Sequence, residues 1–396
     1  MKILCVFGKH QYGDISRGLG IEYAAFVPAL RRLGHDVIHF DSWDRGLYND
    51  FWELNKALLD LAVRECPHVM LVVQLNYEIW LETLRTIKER TETATICWTT
   101  DDSWKYREVS RFVGKAYHAM TTTYAETLHM YRRDGISQVL LTQWAANAEH
   151  LRPPLPFKKC DYSVTFVGAA HGTRRGRVAR LRALGVPVSC FGYGWPSGPV
   201  DAKKIPEIMH RSVISLNFSN ARVGYQIKAR TFEIPGAGGF LLTEYAPGLE
   251  AWYRVGHEIA VFDDTEDLAA KIRYYLSRPG ERDAMARAGF ERTLREHTYD
   301  IRLKEVIDFA LAAKSSLQGK ERLDCRISLE QLRRRHRLHI GLKFLRKILV
   351  GSAALVWGKG RGPRAARRLV FELSWRVIGK KTFTASGWPG RMFPEQ

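Results

Sequence analysis

The chain lacks several features that would assign it to a familiar class. Its six cysteines show no paired spacing, and no cysteine–histidine cluster has the spacing of zinc ligands. The N-terminal run MKILCVFG is too short for a secretory signal. The longest uncharged run of the basic C-terminal region, residues 348–358, is well short of the ~20 residues that span a bilayer. We therefore expect reduced thiols, no structural metal and a cytoplasmic protein.

Acidic residues are scarce at one end of the chain. The 396 residues include 61 Lys and Arg against 42 Asp and Glu, a net charge of +19. Residues 331–396 hold 16 Lys and Arg but 2 acidic residues, so this region contributes +14 and the rest of the chain +5. The length fits two domains of typical size plus a tail, and a hydrophobic content of 45% supports packed cores.

Apolar runs alternate with helical patterns through most of the chain. MKILCVF, HDVIHF, HVMLVV and ATICWT alternate with runs such as YAAFVPALRRLG, and the rhythm restarts after HLRPPLPFKKCD near residue 150. This pattern predicts an α/β fold with two Rossmann-like, doubly wound domains and a basic amphipathic helical tail. We expect domains at 1–152 and 153–300, a returning helix at 301–330 and the tail at 331–396. Ligands should bind at the strand carboxyl ends.

Residues 228–245, KARTFEIPGAGGFLLTEY, combine two cations, a carboxylate and a glycine cluster at a predicted strand–helix junction. Lys228 and Arg230 can neutralise a pyrophosphate, and Glu233 can accept two ribose hydroxyl protons. Gly238 and Gly239 can leave backbone amides open to an anion. The segment therefore predicts a site for a nucleotide-sugar diphosphate. The alternative is a helix end capped by glycine.

Three blocks of the sequence follow the order and spacing of one enzyme family. They are CWTTDDSWKY (97–106), VGAAHGTRRGRVARLRALG (167–185) and the segment 228–245. On these blocks the chain, from about residue 2 to residue 306, resembles the GT-B glycosyltransferases of the spore-maturation (CgeB-like) type, relatives of the group-1 glycosyltransferases. The resemblance implies a GT-B fold and sugar transfer from a nucleotide diphosphate donor. It places the acceptor side in 1–152 and the donor side in 153–300, and it favours retention of configuration.

The chain departs from the wider group-1 pattern at one position. In that family two glutamates separated by seven residues close the donor site. Glu233 matches the second glutamate, but Tyr225 stands where the first is expected. The contacts to the transferred sugar should therefore differ, while the nucleotide half of the site is unaffected. A catalytically inactive relative that binds sugar nucleotide is an alternative.

Carboxylates near the predicted strand ends of the first domain are candidates for catalysis. Asp101 and Asp102 end an apolar strand, and the resemblance marks this pair as characteristic of the family. A carboxylate there could orient the donor sugar or stabilise charge at the anomeric carbon, or it could cap a helix. Asp14 and His10 lie in the loop after the first strand, where a general base could take the acceptor proton. A solvated turn is the alternative.

Further donor-site candidates lie in the second domain. Gly168 ends its first predicted strand and Arg174 follows, where a guanidinium fork could pair with phosphate oxygens. The alternative for Arg174 is a basic helix face in solvent. Tyr193 could stack on the nucleotide base or serve as a core aromatic. We expect no metal and no cofactor, because fixed cations can stabilise a departing diphosphate.

The tail contains two predicted amphipathic stripes. The first consists of Leu338, Leu342, Leu345, Leu349 and Val356, and the second of Ala366, Leu369, Val370, Leu373 and Val377. Basic residues oppose both stripes, and Trp357, Phe371 and Trp375 suit an interfacial depth. The tail is therefore predicted to lie on the anionic inner face of the plasma membrane, as part of a peripheral protein. A helical pair packed on the catalytic body is the alternative.

The predicted partners follow from these sites. They are a nucleotide-sugar donor, an anionic membrane surface and an unidentified acceptor, with lipid-linked molecules and glycans as candidates. A nucleotide-sugar epimerase is an alternative enzyme, since it shares this architecture. A nucleic-acid-binding protein that uses the basic tail is the non-enzymatic alternative. The apolar stripes argue against nucleic acid, because phosphates do not require them.

Overall fold

The computed structural model describes residues 1–219, 226–317 and 328–394. These residues form two compact units. Unit 1 comprises residues 1–122, 126–141 and 305–396, and unit 2 comprises 123–125 and 142–304, within the described ranges. Each unit contains one parallel sheet and surrounding helices, which confirms the predicted α/β class.

Unit 1 is built on a six-stranded parallel sheet. Its strands are β1 (Lys2–Val6), β2 (Asp36–Phe40), β3 (Val69–Val72), β4 (Ala94–Cys97), β5 (Ala119–Thr122) and β6 (Val139–Leu141). The order is β2-β1-β3-β4-β5-β6, so β5 and β6 extend the sheet beyond the four apolar runs identified in the sequence. β2 and β3 pair with opposite edges of β1. The winding therefore reverses between β1 and β3, where such sheets bind ligands.

Six helices follow these strands in the first part of the chain. They are α1 (Ile21–Arg32), α2 (Phe51–Glu65), α3 (Leu81–Arg90), α4 (Asp102–Lys105), α5 (Arg111–Val113) and α6 (Leu128–Arg133). α2 shows how the sequence sets their limits. The Asp50 side chain accepts a hydrogen bond from the Glu53 amide, and α2 ends at Cys66 with left-handed backbone. Leu54, Leu58 and Ala62, at helical spacing, are buried against the sheet.

Unit 2 repeats the design with a five-stranded sheet. Its strands are β7 (Tyr162–Val167), β8 (Ser189–Phe191), β9 (Ser212–Asn217), β10 (Leu241–Glu244) and β11 (Ala260–Phe262). Their order is β11-β10-β9-β7-β8, so the winding reverses between β7 and β9. Its helices are α7 (Arg174–Ala183), α8 (Ile205–His210), α9 (Arg230–Gly236), α10 (Thr265–Leu276) and α11 (Pro279–Glu296). The following helix, α12 (Tyr299–Leu317), begins in unit 2 and ends in unit 1.

The tail packs as part of unit 1. Its helices are α13 (Leu329–His336), α14 (Ile340–Trp357), α15 (Gly362–Val377) and α16 (Trp388–Met392). Leu332, Phe371 and Phe383 are buried in the same core as the residues of α2 and α3. A second cluster joins α14 to α15 through Ala353 and Val370. The alternative of helices packed on the body therefore describes much of the tail.

Several tail residues lie elsewhere than the sequence indicated. Leu342 and Leu349 of the first predicted stripe pack against the cluster between α14 and α15, as does Leu338 before α14. Phe371 and Trp375 pack on the core of unit 1, so their assignment to an interfacial depth was wrong. None of the helices in the described ranges combines the length and apolar composition needed to cross a bilayer.

Candidate functional site

Arg174 bridges the carboxyl ends of β7 and β9 in unit 2. It is the first residue of α7, and its Nη1 donates to the Ala169 carbonyl at 3.1 Å. Its Nη2 donates to the Phe218 carbonyl at 3.0 Å, and its guanidinium lies 5.3 Å from the centre of the Phe166 ring. The side chain is therefore fixed where the winding of the sheet reverses.

A second arginine reaches the same strand edge. Arg230 is the first residue of α9, and its Nε donates to the Val167 carbonyl at the end of β7, at 3.4 Å. Its Nη1 pairs with Glu233, one turn later. Burial, together with the nearby charge of Arg174, lowers the pKa of Arg230 to about 10, so it stays protonated at neutral pH. Two guanidinium groups thus converge on one edge, where a bound anion would relieve their repulsion.

An ion pair lies close to Arg174. Arg177 Nη2 donates to Glu244 Oε1 at 2.5 Å, and Glu244 is buried at the end of β10. Among the described residues, Glu244 Oε2 and Arg177 Nη1 have no hydrogen-bond partner. The sequence analysis did not single out Glu244, although a carboxylate that ends the apolar run GGFLLTE was a signal for it. The ion pair holds Arg177 against the end of β10, whereas Arg174 and Arg230 contact carbonyl groups at the ends of β7 and β9 and are the candidate anion ligands.

Two predicted residues beside this edge have roles that the geometry explains. A Cβ atom on Gly168 would lie 3.0 Å from the Phe166 ring and 3.5 Å from Arg174 Nη1. Glycine at this position therefore lets the guanidinium lie against the backbone. Tyr193, in the loop after β8, is 61% exposed. That exposure removes the core-aromatic alternative for Tyr193 and leaves its ring accessible for stacking.

Three further predictions concern the segment around α9. Lys228 precedes the helix, and its Nζ donates to Gln226. Glu233 lies in the first turn of α9, so its carboxylate stays close to Arg230 at the β7 end of the helix. Tyr225, which replaces the family glutamate, lies outside the described residues.

Gly238 and Gly239 lie away from this edge, so their prediction as anion ligands was wrong. They follow α9, which runs back from the strand carboxyl ends, and they precede β10. Their amides donate to the Pro235 and Ile234 carbonyls, both at 2.9 Å. Gly238 has a φ of 76°, and a Cβ there would lie 2.4 Å from the Arg152 carbonyl oxygen. The two glycines end the helix and permit close backbone packing, which was the alternative.

Asp102 of unit 1 is a structural residue. It is 1% exposed, and burial raises the pKa of its carboxyl group. It accepts hydrogen bonds from Thr99 at 2.7 Å, Ser110 at 2.6 Å and Tyr131 at 2.7 Å. The carboxylate therefore ties α4 to α6 inside the unit, and its prediction as a catalytic group was wrong because no substrate can reach it.

Asp101 and Asp14 remain nearer the surface of unit 1. Asp101 precedes α4, and its side chain makes no capping hydrogen bond to that helix. Asp14 follows β1 and is exposed, with Ser16 and Arg17 as hydrogen-bond partners. The Ser16 hydrogen bonds, and then Arg17, lower the pKa of Asp14. A carboxylate held ionised in this way is a weak proton acceptor, so Asp14 is poorly suited to be a general base.

Glu22 was missed by the sequence analysis. It lies in the first turn of α1, directly after the loop that follows β1, and is 6% exposed. Burial and the charge of Asp101 raise its pKa to about 7, while its own amide and Lys105 act in the opposite direction. Glu22, Asp101 and Lys105 therefore interact near the β1 end of the sheet. Burial, followed by the charges of Asp101 and Glu22, raises the pKa of Tyr12. An acidic residue two positions after Gly20, the last glycine of the loop that follows β1, was the available signal.

No group of three or more His, Cys, Asp or Glu side chains suited to a metal occurs among the residues that the structure describes. The expectation of metal-independent chemistry stays a prediction, since a metal can also arrive bound to a substrate.

Known protein families and structures were compared with this chain. Residues 174–308 match the family model described as glycosyl transferase-like. No curated protein sequence matches the chain significantly.

Solved structures share the fold at low sequence identity. Sucrose-phosphate synthase from Thermosynechococcus elongatus has a TM-score of 0.55 and 11% identity, over 79% of this chain and 100% of that one. A glycosyltransferase from Rickettsia africae has a TM-score of 0.54 and 12% identity, over 80% and 99%. HepE of Anabaena, in complex with UDP, has a TM-score of 0.53 and 10% identity, over 78% and 99%. These structures show that the fold is GT-B.

Proposed function

We propose that this protein transfers a sugar from a nucleoside diphosphate donor to a hydroxyl group of an acceptor. The observation that carries the proposal is the convergence of Arg174 and Arg230 on the β7–β9 edge of unit 2. Guanidinium forks match phosphate oxygens at two points and remain charged at neutral pH. The structure of HepE with UDP supports a nucleoside diphosphate as the ligand class.

The proposed chemistry assigns one task to the two arginines and another to Glu233. Arg174 and Arg230 bind the diphosphate and stabilise its charge as the bond to the anomeric carbon breaks. Glu233 accepts hydrogen bonds from the ribose hydroxyls. The acceptor oxygen forms the new bond to the anomeric carbon, and its proton passes to the departing diphosphate in the retaining route that we favour. Fixed cations take the place that a divalent ion has in other transferases, so we propose a metal-independent reaction.

We further propose that the acceptor is presented at the inner face of the plasma membrane. The support is the tail of unit 1, in which 16 Lys and Arg oppose 2 acidic residues. Such a region is attracted to anionic lipid at roughly 1 kcal/mol per well-placed cation. Lipid-linked molecules and nascent glycans are the acceptor classes that this location makes available.

Ligand-induced stabilisation tests the donor proposal. The thermal midpoint of the protein should rise with one or more of UDP, GDP, ADP and dTDP, because a ligand that binds the folded state stabilises it. Arg174→Met and Arg230→Met should each reduce the response. Arg180→Met is the matched control, since Arg180 lies on the same helix as Arg174 and pairs with Glu266. An equal loss in all three variants would contradict the assigned site.

The reaction products separate the transferase from an epimerase. A transferase releases free nucleoside diphosphate in proportion to glycosylated acceptor, whereas an epimerase returns an intact nucleotide sugar. Incubation of the protein with a donor that it binds, with and without a membrane extract as acceptor source, makes this comparison. Conversion of the donor sugar without release of nucleoside diphosphate would overturn the transferase proposal.

A further inference from the structure

α14 carries an apolar face that the rest of the described protein leaves uncovered. Ile340, Phe344, Ile348 and Leu355 recur at spacings of four and seven residues, which place them along one side of the helix. All four are exposed, with Ile340 at 86% and Leu355 at 90%. We call these four residues the outward face. The opposite side of α14 packs against α15 through Ala353 and its neighbours.

The turn between α14 and α15 continues this apolar surface. We call residues 355–361 the hairpin tip. Leu355, Val356 and Trp357 are exposed there, and Lys359 and Arg361 follow within four residues. Exposed large apolar side chains beside cations, with tryptophan among them, are typical of segments that enter the headgroup region of a bilayer.

Cations border the outward face without partners inside the protein. Lys343 and Lys347 lie on α14, one helical turn apart and next to Phe344 and Ile348 in sequence. In the part of the chain that the structure describes, neither lysine makes an ion pair, and the same holds for Lys359, Arg361 and Arg364. These charges are therefore available to an anionic partner.

We propose that the outward face and the hairpin tip dock onto an anionic lipid bilayer. This inference deepens the membrane location proposed above, but it rests on unit 1 alone and is independent of the donor site in unit 2. Apolar side chains enter the boundary between headgroups and acyl chains, and the bordering cations meet lipid phosphates. Of the first stripe predicted from sequence, Leu338, Leu342 and Leu349 pack inside the hairpin, while Val356 is part of the hairpin tip, so the docking surface overlaps that stripe only in part.

A second copy of the chain fits this surface less well. In a two-fold dimer the same surface meets itself. The unpaired Lys343, Lys347, Lys359 and Arg361 would then approach their equivalents, and like charges at close range oppose association. Nucleic acid would satisfy the cations but would leave the apolar face in water.

Vesicle binding by the full-length protein tests the proposal. The probe is a vesicle of phosphatidylcholine that contains about 30% phosphatidylglycerol, and flotation measures how much protein binds to it. The triple variant Phe344→Ser, Ile348→Ser and Leu355→Ser should lower the partition coefficient at least about 100-fold, because it replaces three of the large apolar side chains that enter the lipid. These residues are exposed, so nucleotide binding and the circular dichroism spectrum should stay unchanged.

Matched variants isolate the two parts of the interaction. Val63→Ser with Leu294→Ser removes exposed apolar side chains from α2 and α11 and should leave vesicle binding unchanged. Lys343→Gln with Lys347→Gln should weaken binding to anionic vesicles about 30-fold, at about fivefold per cation, and should not change binding to vesicles of phosphatidylcholine alone.

Three results would overturn the proposal. One is unchanged vesicle binding in the triple serine variant. Another is a wild-type dimer, measured by light scattering, that binds no vesicles and becomes monomeric in that variant. The third is wild-type protein that retains DNA but does not float with vesicles. A wild-type protein that floats with vesicles but binds no nucleotide would instead contradict the donor site and would support this inference.

Discussion

Replacing Glu22 with glutamine should change how the stability of unit 1 depends on pH. Burial raises the pKa of this carboxyl group from 4.5 to about 7. The folded state therefore holds a proton that the unfolded chain has released, and the free energy of unfolding falls as pH rises between these two values. Glutamine keeps the shape of the protonated side chain and cannot ionise. Glu22→Gln should thus gain stability relative to wild type as pH increases.

The magnitude follows from the size of the shift. A difference of about 2.5 pKa units corresponds to about 3 kcal/mol, at 1.36 kcal/mol per unit. The effect is small below pH 4.5 and complete above pH 7. The difference in unfolding free energy between the variant and the wild type, called the gap below, should change by about 2.5 kcal/mol between pH 5 and pH 8.5. The change favours the glutamine variant at high pH. The other buried carboxyls, Asp102 and Glu82, are present in both proteins and cancel in the comparison.

Urea unfolding at a series of pH values measures this gap. Tryptophan fluorescence follows the transition, and the analysis uses the difference in unfolding free energy between wild type and variant at each pH. Glu291→Gln removes an exposed carboxyl group from α11 and serves as the control, for which the difference in unfolding free energy should stay nearly constant. A gap for Glu22→Gln that does not vary with pH, or that varies in the opposite direction, would refute the reasoning.

Four other substitutions have definite expected outcomes. Glu233→Gln should weaken nucleotide binding by roughly 1 to 3 kcal/mol without unfolding the protein, and unchanged affinity in calorimetry would remove Glu233 from the site. Asp101→Asn should lower turnover more than donor affinity, whereas Asp102→Asn should lower the thermal midpoint, because Asp102 holds three buried hydroxyl groups. Wild-type turnover in Asp101→Asn would contradict a catalytic role for Asp101, and an unchanged thermal midpoint in Asp102→Asn would contradict a structural role for Asp102. Phe371→Ala should lower the free energy of unfolding by about 3–5 kcal/mol in urea, because this tail residue is buried in the core of unit 1. A loss below about 1 kcal/mol would mean that the tail is detached from that core.

The sequence predicted the fold well because periodicity reports burial directly. Runs such as HVMLVV and SVISLNFS are apolar throughout, as strands covered on both faces must be, and they became β3 and β9. β5 and β6 were missed because AMTT and VLL are short, and Thr121 and Thr122 are buried polar residues that weaken the apolar signal.

The sites were harder to predict because residue type does not reveal orientation. Arg174 and Arg230 lie at the carboxyl edge, as the sequence indicated, and their role as donor ligands stays a prediction. Asp102 has the same sequence signature as Asp101, but its side chain turns inward to Tyr131. Gly238 was misassigned because a glycine after a helix and a glycine before an anion look alike in sequence.

The tail shows the same limitation on a larger scale. Helical spacing identified an apolar stripe on α14, but the helix has apolar residues on two sides. Leu342 and Leu349 lie on the side that packs against α15, and Phe344 and Ile348 lie on the exposed side. Only the position of the neighbouring helix distinguishes the two, and no pattern within α14 contains that information.

The measurement that most directly tests the central claim compares the affinities of a nucleoside diphosphate and its nucleoside. In calorimetry, wild-type protein should bind its preferred nucleoside diphosphate at least about 100-fold more tightly than the free nucleoside, because two charged hydrogen-bonding groups contact the diphosphate. The double variant Arg174→Met and Arg230→Met should bind both ligands with nearly equal, weak affinity. A double variant that still binds the nucleoside diphosphate as much more tightly than the nucleoside as the wild type does would contradict the account.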